Sequence, residues 1–175
     1  MHRLAIIALL AVMLPAPSHA QRPGRLALLD DWKHQQGYIL AAIDSASPTM
    51  LEFRPTKGVR SFAEQIDHIV TVAATITSYG STGKPIPPEL TGDSAVYLHD
   101  RAKLRARAAQ YLSWILATLA QTSDEELTPE QPLAGGSMPR WRWNMTALQH
   151  SAWTLGQLVP YLRLNGRTPP MFTPF

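Results

Sequence analysis

An all-α four-helix bundle is the fold this sequence predicts, and three observations carry the expectation. Four segments repeat apolar residues three and four apart, no segment of comparable length alternates like a strand, and Pro- and Gly-rich stretches separate the four. About 155 residues follow a short N-terminal leader, enough for one domain with a core of its own.

The leader comes first. Met1-His2-Arg3 gives a positive start, residues 4–14 form an apolar run, and Ser18 and Ala20 stand where a signal peptidase needs small side chains. The run is shorter than the roughly twenty residues that span a bilayer. Residues 1–20 are therefore read as an export signal cut after Ala20, and residues 21–175 as the folded domain. The mature protein is expected in the periplasm or outside the cell, with no membrane span.

The first helix is expected over about residues 25–45, where Leu28, Trp32, Ile39 and Ile43 share a face. The second opens on "SFAE" at residues 61–64, a capping box in which Ser61 and Glu64 satisfy each other's backbone N–H. Ile66, Ile69, Ala73 and Ile76 continue it, and Gly80 reads as its stop. "STGKPIPPELTG" cannot be helical, because its prolines lack the N–H a helix needs. Asp93 or Ser94 caps the third helix, whose stripe runs through Leu98, Ala102, Ala109, Leu112, Leu116 and Leu119. A polar connection over 122–140, with a short turn near "SDEEL", leads to a fourth helix over about 141–164, softened where Pro160 faces Gly156. Long loops thus join helices two to three and three to four.

Composition removes several chemistries. No Cys is present, so disulfides, thiolate ligands, a thiol nucleophile and lipid attachment at a cysteine are excluded. The net charge is +3, or +2 once Arg3 is removed, too little to imply an acidic partner. Arg101, Lys103, Arg105 and Arg107 alternate by two and spread around a helix, so nucleic acid is not an expected partner. "LAGGSMP" lacks the lysine of a phosphate loop, and no G-x-S-x-G elbow occurs. A small-molecule ligand remains, and a homodimer is compatible with the sequence.

Four histidines follow the leader, His34, His68, His99 and His150, each on an expected helix. His68 neighbours the apolar stripe of helix two. His150 shares a stripe with Ala147, Thr154, Gln157 and Tyr161. An inward imidazole needs its second nitrogen satisfied by a metal or a hydrogen bond. Trp141, Trp143, Trp153 and Tyr161 line the fourth helix, as core or as the wall of an apolar pocket around His150.

"EFRPTKGVRSFAEQIDHI" and "LQHSAWTLGQLVPYLRLNGRTPP" together resemble the DinB/YfiT-like family, over nearly the whole mature chain. The resemblance implies a four-helix bundle holding a divalent metal, commonly nickel or zinc, on three histidines. It places His68 at the first ligand position, His150 at the second and Thr154 at the third. It also implies thiol-dependent transferase or isomerase chemistry for some members. A threonine hydroxyl is a poor ligand for such ions. Glu64, one turn before His68, is a substitute third ligand to weigh, although its capping box also needs it; His34 and His99 are two more. Three readings stay open: an exported bundle with a degenerate two-histidine pocket that binds a small molecule, a metal-dependent enzyme with a substitute ligand, and a structural or interaction protein without metal.

Overall fold

The computed structural model describes residues 24–133 and 135–173. The expected export signal and its cut after Ala20 lie outside the described residues. Five α-helices and one small hairpin make up the regular structure: α1 (Arg25–Ser45), α2 (Phe62–Thr82), α3 (Arg101–Gln121), β1 (Glu130–Leu133), β2 (Gly136–Pro139), α4 (Arg140–Gly156) and α5 (Leu158–Leu164). Around the bundle, α1 packs on α3, α3 on α2, α2 on α4, and α4 back on α1. No helix among the described residues is long and apolar enough to cross a membrane.

The α1 face is the expected one: Leu28, Trp32, Ile39 and Ile43 are all buried. Trp32, Ile39 and Ile43 meet Phe62, Ile66, Ile69 and Ala73 of α2 and Leu104, Leu112 and Ile115 of α3 in one core. Full burial of each large aliphatic or aromatic side chain stabilises the fold by about 1.5–3 kcal/mol.

The capping box at the start of α2 is formed, with Ser61 Oγ accepting from the Glu64 N–H and Glu64 Oε2 from the Ser61 N–H at 2.8 Å. Helix α2 runs past Gly80 and ends at Gly83, whose φ of 71° is the left-handed C-cap conformation. Gly80 has a different use. A Cβ there would lie 2.7 Å from Trp143 Cβ, so the missing side chain lets α4 approach α2 closely.

The third helix starts later than expected. Asp93 caps only a 3-10 turn, Ser94–Val96, and Asp100 caps α3 by accepting from Lys103 N–H. The core face is Leu104, Ala108, Tyr111, Leu112, Ile115 and Leu119, so Leu112 and Leu119 are where the stripe placed them while Ala102 is exposed. The basic run works as fastening. Arg101 donates to the Ala46 carbonyl at 2.9 Å, Arg105 pairs with Asp44, and Arg107 lies over the Tyr111 ring and reaches the Leu90 carbonyl.

The connection expected to be irregular contains the antiparallel β1–β2 hairpin, with Glu130 opposite Pro139. Trp143 Nε1 donates to the Gln131 carbonyl at 2.6 Å and ties the hairpin to α4. The fourth helix is two. It breaks at Gln157, between Gly156 and Leu158. Pro160 cannot donate to the Gly156 carbonyl, so the break falls one turn before the proline.

Candidate functional site

His68 comes from the middle of α2 and His150 from the last half of α4, the two helices in closest register across the bundle. Their rings meet edge to face with centroids 5.1 Å apart. Both residues are half-buried. His150 Nδ1 is fully enclosed and has no hydrogen-bond partner. An unsatisfied buried nitrogen costs about 1–3 kcal/mol.

Burial and a nearby positive charge both favour the neutral form of the two rings. Burial is the largest cause lowering the His68 pKa from its ordinary 6.5; the Arg60 charge and the neighbouring His150 add to it, and Asp67 opposes it. His150 is lowered by burial first and then by Arg60. Neutral imidazole is the form that binds a metal, and it also offers one N–H and one lone pair to a ligand.

Two imidazoles on one tetrahedral ion, each about 2.0–2.1 Å from it, have ring centroids about 5 Å apart. The His68–His150 spacing and the unpartnered Nδ1 therefore suit two corners of such a site. The rest of the set does not close. Among the described residues, no three of His, Cys, Asp and Glu come together in a way that could hold an ion. Thr154, at the third position, is buried on the His150 side of α4, one turn on.

Each substitute is engaged elsewhere. Glu64 is held by both Arg54 nitrogens at 2.5 and 2.7 Å while it caps α2, and these bonds keep its carboxyl below the usual carboxylate range. His34 is exposed on α1, with Nδ1 donating to the Asp30 carbonyl at 3.0 Å. His99 precedes α3 instead of lying on a helix, and its Nδ1 pairs with Glu52. Asp67 accepts from the Tyr97 hydroxyl at 2.7 Å. The aromatic wall is also smaller than expected: Trp143 and Tyr161 are buried, but Trp153 is 75% exposed.

Between the loop ahead of α2 and the α4–α5 break lies a cleft of about 610 Å³ lined by Pro55, Gly58, Val59, Arg60, Gln65, Gln157, Pro160 and Tyr161. Gln65 Nε2 donates to Gln157 Oε1 at 2.8 Å, joining α2 to the break between α4 and α5. The Tyr161 hydroxyl donates to the Arg60 carbonyl at 2.8 Å and fixes the loop ahead of α2. Gln157 and Tyr161 shared the His150 stripe in the sequence. Arg60 carried one signal only, its place immediately before the N-cap Ser61.

Comparison with known proteins agrees with this architecture. The profile of the DinB superfamily matches residues 31–158. A DinB-like protein from Bacillus cereus superposes with a TM-score of 0.73 at 19% identity, covering 87% of this chain and all of its own (100%). A DinB-like protein from Bacillus subtilis gives a TM-score of 0.69 at 20% identity, covering 83% of this chain and 95% of its own. At that identity the likeness speaks for the fold. No curated protein matches the chain. With the profile spanning most of the bundle, from within α1 to the first residue of α5, the chain belongs to the DinB superfamily.

Proposed function

We propose that this is an exported DinB-like protein whose pocket, reduced to two histidines, binds a small molecule and takes up a divalent metal only weakly. The observation that carries the reading is the His68–His150 pair, 5.1 Å apart with His150 Nδ1 enclosed and unpartnered. Two neutral imidazoles hold zinc or nickel less tightly than three. Export rests on the N-terminal sequence, where a charged start, an apolar run and Ala20 stand in order.

The test is to restore the third ligand. In Thr154→His the new imidazole lies one turn from His150 on the same face, where both side chains reach one ion. Calorimetric titration of zinc and nickel should give weak binding to the wild type and at least about tenfold tighter binding to the variant, roughly 1.4 kcal/mol. The variant should also melt higher with added metal, since the ion binds only the folded state. Nanomolar binding by the wild type would overturn the two-histidine reading in favour of a complete site. No gain in the variant would mean the pair is part of the core.

A further inference from the structure

The cleft between the loop ahead of α2 and the α4–α5 break has a cation with nothing to hold. Arg60 is exposed at its rim, and its guanidinium makes no hydrogen bond or salt bridge to any described residue. The neighbouring arginine differs: Arg54 is engaged by Glu64 and by the Val59 carbonyl at 2.6 Å. The start of α2 offers no substitute donor. The Phe62 N–H goes to the Phe53 carbonyl, the Ala63 N–H to Leu51, and the Glu64 N–H to Ser61 Oγ. Among these groups, only Arg60 remains to meet a negative charge.

The rest of the lining suits a ligand of defined polarity. Gln157 accepts from Gln65 through Oε1, which leaves its Nε2 hydrogens for a bound molecule. Tyr161 holds the Arg60 carbonyl from across the chain, so the backbone that carries this side chain is anchored. Pro55, Val59 and Pro160 supply the apolar surface. The Arg60 charge helps lower the pKa of both His68 and His150.

The geometry points to a small organic acid as the ligand of this cleft, its carboxylate forked on Arg60 and a second polar group on the Gln157 amide. A planar guanidinium matches a carboxylate through two parallel N–H bonds, and an amide donor lining the same cleft selects for a second acceptor on the ligand. The inference rests on the reading of this protein as a small-molecule binder, and it names the class of molecule.

Calorimetry on the full-length protein tests it with three probes: succinate, its neutral isostere succinamide, and inorganic phosphate. Succinate should bind and succinamide should not. Arg60→Gln should weaken succinate at least about tenfold, Arg60→Lys should fall between, and Gln157→Leu should weaken it several-fold. Arg142→Gln, which removes an exposed arginine of α4 outside the cleft, should leave it unchanged. Equal binding of succinate to wild type and Arg60→Gln overturns the proposal, as does equal binding of succinate and succinamide. Phosphate binding more tightly than succinate overturns the assignment to an organic acid. If succinate fails to bind while Thr154→His still gains zinc affinity, this inference falls and the two-histidine reading stands. Succinate binding through Arg60 with no zinc gain in Thr154→His supports the inference and removes the metal.

Discussion

Glu64 shows how much a single side chain decides at this site. Its carboxylate accepts from Arg54 and from the Ser61 N–H at once, so it is already fully used as a helix cap. Its folded pKa lies below the ordinary 4.5, lowered first by the Arg54 bond and then by Ser61. A depressed carboxylate contributes stability that is present above its unfolded pKa and lost as pH falls through the folded one. Wild type should therefore exceed Glu64→Gln in denaturant midpoint at pH 7, and the gap should close as pH drops below about 4.5. A gap independent of pH would show that the charge is not what stabilises the cap. The "SFAE" motif made this cap legible from four residues, because capping is local. The Arg54 clamp, ten residues back, was not legible, and neither was Arg60: both depend on how the loop 53–61 folds against α2 and α5.

Two glycines at helix-interior positions should respond oppositely to the same substitution. Gly37 lies on the outer face of α1 with nothing within 4 Å of a built Cβ, so Gly37→Ala should stabilise the protein by about 0.4–1 kcal/mol. Gly80→Ala drives a methyl against Trp143 where α2 and α4 cross, and should destabilise by about 1–3 kcal/mol. Chemical denaturation of the two variants checks both signs together. In the sequence the two positions look alike, and Gly80 even resembled a helix end. The real end is Gly83, where the backbone turns left-handed. Periodicity located α1 and the α2 face because an apolar stripe is a local pattern. The hairpin escaped for a physical reason: "EQPL" and "GSMP" each carry a proline and little apolar alternation, so their pairing depends on the Trp143 anchor from α4.

Across the whole molecule, the C-terminal segment closes one side of the bundle. Tyr38 of α1 donates to the Thr173 carbonyl at 2.8 Å and accepts from the Thr173 N–H at 3.1 Å, with Phe172 against its ring. Beneath lies an apolar groove of about 200 Å³ between α1 and the α4–α5 break, lined by Ala42, Leu155, Leu158 and Leu162 among others. Tyr38→Phe should speed amide exchange at Thr173 by at least about tenfold while core amides of α2 keep their protection, since only the strap is released. Unchanged exchange at Thr173 would mean the ring contact alone holds the strap. Nothing in the terminal "PPMFTPF" announces this contact, which joins residues 135 apart. The bundle was legible from its stripes; the strap and the cleft, both made by distant pairings, were not.

The pairing of α2 with α4 also sets an order of events. His68 and His150 are 82 residues apart (150 − 68) and meet only when α4 has docked. The Tyr161 bond to the Arg60 carbonyl comes later still, because α5 follows α4 in the chain. A chain in which α4 and α5 have not yet docked therefore lacks both the imidazole pair and the Tyr161 bond to the Arg60 backbone. A ligand of the proposed pocket would be captured only at the end of folding. On the function proposed above, the pool of ions and acids around the chain as the bundle closes decides what the pocket first meets.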